Sequence, residues 1–424
     1  MFILCYVVLA LTFGFTLLTT EIAIGRKTGQ SPLTAYEQMH KGWGGIGVLA
    51  CAVPVIILPY YCSIGGWVLK YLSAFLTGHG AQAAEDGYFT GYITQVGQPI
   101  IWMLIYVLIT ATVVYKGVNK GIEKYSKILM PILFVLIAGI SVFSITLKHT
   151  NADGVTRTGM QGLAIYLIPN FRGMTVKSFL SVVMDALGQL FFSISVAMGI
   201  MVTYGSYAKK ETNLMKSINQ IEFFDTLVAL LAGLMIIPAV FAFSGGDPDT
   251  LQAGPALMFI TIPKVFASMG MGTAVGVLFF VLVLFAALTS SIALTESAVS
   301  TFEDELGWDR TRSTILIGCI MIVLGSLSAL GYGPLASVTV FGMQFLDFFD
   351  FLTNSVMMPI AAIATCLLVS RIVGVEKIEE EVTREGQPFR RKPVFNFMLR
   401  YLCPIFAAII LASSVANALG WIAM

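Results

Sequence analysis

The chain has 424 residues, of which 57% are hydrophobic and 12% charged, with a mean hydropathy of +0.85. Soluble domains carry about 25% charged residues, so this composition excludes a soluble fold and specifies an all-α, polytopic membrane protein. A net charge of +1, with no basic patch interleaved with aromatics, leaves no footprint for nucleic acid.

All six cysteines (Cys5, Cys51, Cys62, Cys319, Cys366, Cys403) fall in apolar segments, where they fill a core rather than build a disulfide framework. The first segment is apolar for about twenty residues and has no basic n-region, so it does not read as a cleaved signal peptide. A helix needs roughly 20 apolar residues to cross a bilayer. Ten segments qualify: 2–24, 44–77, 98–116, 122–146, 182–207, 219–244, 271–302, 312–331, 337–371 and 395–422. The second, seventh and ninth are long enough to tilt or to extend beyond the bilayer.

Cytoplasmic loops collect Lys and Arg. One alternating set of loops, starting after the first span, holds nineteen Lys and Arg residues and the other holds five. The loop after the first span is therefore expected in the cytoplasm. The first span would then run from outside to inside, which implies either an unusual topology or a helix preceding Met1.

In chain order, Tyr60 and Tyr61 follow Pro59 inside the second span. A phenol there can donate to a carboxylate, or pack as a core or belt tyrosine. The segment 148–181 is the longest outer loop. The outer segment 245–270 mixes turn signals with apolar pieces, as either a cavity lid or a packed surface loop would. The stretch Gly188–Gly205, GQLFFSISVAMGIMVTYG, places Ser193 and Ser195 among glycines in an apolar span. A lipid-facing helix gains nothing from hydroxyls and glycines, whereas a backbone that opens towards a cavity needs both.

Asp225 stands near the cytoplasmic end of the sixth span. It reads either as a paired intramembrane acid or as an interfacial one. In FAALTSSIALTE, residues 285–296, Ala286, Thr289 and Ser290 share one helix face. Their oxygens suit a hard cation. Small-residue helix packing with hydroxyl back-bonding fits the same pattern. Glu296 reads as a member of a polar layer near the cytoplasmic face. Asp347 and Asp350 open the ninth span at its outer end, as solvated residues or as a gate acid. The charged segment 375–394 reads as a solvated cytoplasmic linker.

Together these stretches resemble the neurotransmitter:sodium symporter family over most of the chain. EIAIGRKTGQSP (21–32), VVYKGVNKGIEKYSKILMPILF (113–134), GQLFFSIS, MVTYGSY (201–207), FITIPKVF (259–266) and ALTSSIAL (287–294) are similar to its motifs, in the family's order. The family is itself a standard example of the inverted-repeat carriers. The resemblance implies a single transporter domain over 1–424 with two inverted repeats of five helices. The first repeat is 1–146 and incomplete, the second is 182–371, and 395–422 is an extra helix. It implies a carrier rather than an enzyme, working by sodium-coupled symport of a small amino acid across the bilayer of a bacterial plasma membrane.

Residue by residue, Tyr61 resembles the tyrosine that binds the substrate carboxylate and Phe192 the aromatic that closes over the substrate. Ile57, Ser195, Met198, Ser290 and Leu294 resemble pocket wall. Ser193 and Asp225 resemble ligands of the first sodium site; Ala286, through its carbonyl, Thr289 and Ser290 resemble ligands of the second. Asp350 resembles the acid of the outer gate. Asp225 stands where many members carry Asn, near positions matching their chloride site (Tyr6, Gln189, Ser193), which implies that chloride is not required. Ala197 stands where Gly is frequent, and the AMG run resembles bacterial carriers of hydrophobic amino acids. Met1 aligns inside the family's second helix, so the first helix is expected to be missing and residues 1–424 alone are expected not to transport. Two alternatives stay open: a non-transporting remnant or partner-completed subunit, and a proton-coupled amino-acid exchanger using Asp225 or Glu296.

Overall fold

A computed structural model describes residues 1–150, 154–171, 173–243 and 254–418. Residues 244–253 of the expected outer segment, Arg172, and 419–422 of the last expected span lie outside the described residues.

Among the described residues, ten helices are long and apolar enough to cross a membrane. We label the elements used below in chain order: α1 Phe2–Thr28, α2 Pro32–Met39, α3 Gly44–Leu76, α4 Gly97–Tyr115, α5 Val118–Thr146, α6 Gly159–Leu167, α7 Val176–Ser193, α8 Ile200–Tyr207, α9 Leu214–Phe243, α10 Gly254–Ala267, α11 Gly272–Leu306, α12 Arg310–Leu330, α13 Phe345–Val373, α14 Glu376–Val382 and α15 Lys392–Ala418. A two-stranded antiparallel ribbon, β1 Lys148–Thr150 and β2 Thr156–Thr158, pairs His149 with Arg157 ahead of α6.

Helix contacts run through small residues, as expected where apolar side chains gain nothing by leaving lipid. A Cβ on Gly25 would lie 2.0 Å from the Val202 carbonyl oxygen, and one on Gly205 would lie 2.4 Å from that of Ile22. These glycines let α1 and α8 cross with their backbones touching. On α3, Gly66 lies against the Met103 backbone of α4 in the same way.

An aromatic core joins α3, α10 and α11. Tyr71 and Phe259 have ring centroids 5.0 Å apart, Tyr71 and Phe280 5.4 Å, and Trp67 and Phe259 5.8 Å. The Tyr71 hydroxyl donates to the Phe259 carbonyl at 2.8 Å. The described part of the outer segment 245–270 is thus a helix packed down on the core, with Lys264 paired to Asp86 at 2.5 Å above it.

Three expectations need correction. The fifth span begins at Val176 rather than 182, because Thr175 and Ser178 cap it reciprocally: each backbone N–H is accepted by the other's hydroxyl, at 2.9 and 3.1 Å. The ninth span begins at Phe345 rather than 337, after a turn bridged between Val340 and Met343. The segment 375–394 is not a solvated linker. Val375, Ile378 and Val382 are buried, and Glu381 accepts from Arg26 Nε at 2.6 Å in an almost fully buried pair. Arg26 also donates to the Glu381 and Thr212 carbonyls. The segment was misread because the partner of its acid stands 355 residues earlier in the chain.

Candidate functional site

The feature that positions everything else is a break in a membrane helix. α7 ends at Ser193, α8 begins at Ile200, and residues 194–199 between them leave the helix. Ser195 (φ 57°), Ala197 (φ 60°) and Gly199 (φ 75°) take the left-handed conformation. For the two non-glycine residues this costs about 1–2 kcal/mol each, so the surroundings must hold the segment in place.

Glu21 of α1 supplies one hold. This carboxylate is 1% exposed, and its Oε1 accepts the Ala197 N–H at 2.6 Å. Packing supplies another. A Cβ on Gly199 would lie 2.8 Å from the Ala50 carbonyl oxygen and 2.9 Å from Pro32 Cγ. The helix ends close locally: Ile194 N–H donates to the Leu190 carbonyl at 3.1 Å and Thr203 N–H to the Gly199 carbonyl at 3.0 Å.

At the α7 end of the break, three helices contribute to one hydrogen-bonded chain. The Tyr6 hydroxyl (α1) donates to Ser193 Oγ at 3.1 Å, and Ser193 faces both oxygens of Asp225 (α9) at 2.9 and 3.0 Å. Ser193 has one proton, so it satisfies one carboxylate oxygen at a time. The remaining Asp225 lone pairs, with those of Ser193, form an all-oxygen donor set, the kind a hard cation requires. Ser193 and Asp225 are both half-buried.

On α11, Thr289 Oγ1 and Ser290 Oγ donate to the Ala286 carbonyl at 2.9 and 3.2 Å. The carbonyl is therefore engaged by both hydroxyls, and the helix runs unbroken from Gly272 to Leu306. This is the back-bonding geometry of small-residue packing. It also turns the hydroxyl lone pairs outward, away from the donated protons, and leaves them free for a cation. Ser290 is exposed, and the Tyr61 hydroxyl of α3 lies within hydrogen-bonding reach of it.

Asp350 opens α13 and accepts from Asn354 Nδ2 at 2.6 Å, with the Tyr60 hydroxyl also in reach. Asp347 accepts from the Tyr332 hydroxyl at 3.1 Å. Of the remaining expected pocket residues, Ile57, Met198 and Leu294 are buried, Ser195 is half-buried and Phe192 is 38% exposed. Among the described residues no hydrogen bond joins the groups around Asp225, Ser290 and Asp350 to one another.

Two parts of the arrangement escaped sequence reasoning. Glu21 was quoted in a motif without a role, although an acid inside an apolar run is a functional signal in itself. Glu296 is indeed in a polar layer, but its partners come from two other helices, α8 and α12. It is fully buried, accepts from the Tyr207 hydroxyl at 2.7 Å and pairs with Arg310, which also donates to the Val114 carbonyl at 2.8 Å. Arg310 reaches Glu303 at 3.3 Å as well. This ion pair commits Glu296 to a structural layer and leaves Asp225 as the candidate proton site of an exchanger.

A profile of the sodium:neurotransmitter symporter family matches residues 1–92 and 83–420. An uncharacterized sodium-dependent transporter of Bacillus subtilis (strain 168), YhdH, is 33% identical over 420 residues, covering 96% of this chain and 88% of that protein. The Homo sapiens sodium- and chloride-dependent GABA transporter 2 is 24% identical over 454 residues, covering 95% of this chain and 72% of that one. The crystal structure of MhsT in complex with L-phenylalanine superposes with a TM-score of 0.83 at 31% identity, covering 97% of this chain and 91% of that chain.

Proposed function

The chain belongs to the sodium:neurotransmitter symporter family, and from that membership we propose that it couples sodium to the uptake of a small hydrophobic amino acid by alternating access. The family is one of membrane transporters, not enzymes. The observation that carries the finer reading is the broken helix at 194–199, with the Tyr6–Ser193–Asp225 chain at its edge. Irregular backbone at membrane depth is tolerated where it is buried in protein or lines a cavity, and there its carbonyls and half-helix ends can meet an ion and a zwitterion.

In this reading Ser193 and Asp225 contribute to one sodium site, and Ala286, Thr289 and Ser290 to a second. Tyr61 takes the substrate carboxylate, Phe192 and Ser195 border the substrate with Ile57, Met198, Ser290 and Leu294 behind them, and Asp350 serves the outer gate. Asp225 supplies the negative charge at the first site, so chloride is not required. The hydrophobic amino acid is supported by the L-phenylalanine bound to the similar MhsT. The bias of nineteen basic residues against five supports a bacterial plasma-membrane orientation with the loop after α1 in the cytoplasm.

The test is uptake of radiolabelled phenylalanine, leucine and glycine by proteoliposomes under a sodium gradient, a potassium gradient or a pH gradient. Uptake of the two apolar amino acids that follows sodium supports the proposal. Uptake that ignores sodium and follows pH overturns it in favour of the exchanger, for which the acid Asp225, with hydroxyl partners and no ion pair among the described residues, is the specific observation. The same assay on residues 1–424 alone decides the expectation that this chain does not transport by itself.

A further inference from the structure

We propose that a basic recess beside the start of α9 holds the phosphate of an anionic phospholipid. The recess lies between residues 213–223 and the segment 387–391 that leads into α15, and its volume is about 520 Å³. Three cationic side chains line it, Lys216, Arg390 and Arg391, together with amides including Asn213 and Asn219, and no carboxylate among the described residues does.

The three cations are not equivalent. Arg391 is fixed in place: it pairs with both Glu222 oxygens at 2.8 and 2.5 Å, donates to Asn219 at 2.5 Å, and stacks 3.5 Å from the Phe15 ring centroid. Its charge is matched by Glu222. Lys216 and Arg390 have no ion pair among the described residues, so the recess carries about two uncompensated positive charges. The backbone adds to them, because α9 starts here, with the Lys216 N–H capped by Asn213 Oδ1 at 2.8 Å.

The apolar side of the same feature selects a lipid over a soluble anion. Directly beyond the basic rim, α9 turns Phe223 (60% exposed) and Phe224 (50% exposed) outward, and α9 is among the least buried of the spanning helices. A phosphodiester at the rim would lay its acyl chains along those rings. Basic pockets at the membrane boundary are the physical form of a headgroup site, each nearby cation contributing about 1 kcal/mol. That the recess opens to the cytoplasmic leaflet rests on the orientation proposed above; binding itself does not, and its test needs neither transport nor sidedness.

The experiment is native mass spectrometry of detergent-purified residues 1–424 with added phosphatidylglycerol, phosphatidylcholine or inorganic phosphate. Phosphatidylglycerol should be retained well above phosphatidylcholine. The double variant K216Q/R390Q should retain it roughly 25-fold less, about fivefold per cation removed. K216R/R390K should behave as the parent, and K148Q, at an exposed position beside His149, whose ring meets Phe243 at the far end of α9, should change nothing. All variants are compared at equal monodispersity in size-exclusion chromatography, so loss of fold is not mistaken for loss of lipid. Equal retention of the two lipids, or full retention by K216Q/R390Q, would overturn the proposal. So would displacement of phosphatidylglycerol by millimolar inorganic phosphate, which would make the recess a site for the free anion.

Discussion

Removing Glu21 tests whether the broken helix is held open by a side chain or by packing alone. In Glu21→Ala the Ala197 N–H loses its acceptor, a bond of 2.6 Å to a carboxylate that is 1% exposed. A buried N–H left without its acceptor costs about 1–3 kcal/mol, and each factor of ten corresponds to about 1.4 kcal/mol. Local opening of 194–199 should therefore become roughly 5- to 100-fold more frequent. Global stability has a competing term, because burying a carboxyl group with one oxygen unpartnered is itself unfavourable. Among the described residues Glu21 Oε2 has no hydrogen-bond partner, so no second bond is lost. The two terms oppose each other, so the melting temperature should change little while the segment loosens, and the decisive readout is local. Amide hydrogen exchange should accelerate in peptides covering 194–199 and stay unchanged around Trp67–Tyr71. Glu21→Gln, which keeps an uncharged acceptor, should fall between. Unchanged exchange at 194–199 in Glu21→Ala would refute the reasoning, and equal acceleration everywhere would show that Glu21 supports the whole fold rather than the break.

Arg310→Ala should leave Glu296 buried without its cation and destabilise the protein by about 3–5 kcal/mol, seen as a lower melting temperature in detergent, with much of the loss recovered in Arg310→Ala/Glu296→Gln. Gly199→Ala should reduce folded yield far more than Gly29→Ala, because both glycines have positive φ but only Gly199 has a backbone carbonyl within 2.8 Å of the new methyl. Asp225→Asn should weaken sodium dependence and make any remaining uptake respond to chloride, measured by exchanging chloride for gluconate. Lys264→Gln should leave the melting temperature unchanged at physiological salt: Lys264 holds the Asp86 carboxyl below the usual carboxylate range, but both groups are exposed and screened.

What could be read without coordinates followed one rule, that apolar runs of sufficient length become spans. The second span was expected at 44–77 and is found at Gly44–Leu76. The break was visible because Ser193, Ser195 and the glycines are out of place in lipid. Helix starts set by polar capping rather than hydropathy were not visible, and so the fifth span was placed six residues late.

By itself, then, the sequence determined the number of spans, the helix that must break and the oxygen-bearing residues near it, because hydrophobicity, glycine content and intramembrane hydroxyls are local properties of a chain. Only the tertiary structure decided which partners those residues have. Ala197 meets Glu21 across 176 positions, Ser193 meets Tyr6 across 187, and Arg26 meets Glu381 across 355. A buried polar group must find its complement wherever packing brings one, and in a bundle of crossing helices that complement stands far away in the chain, beyond the reach of any local pattern.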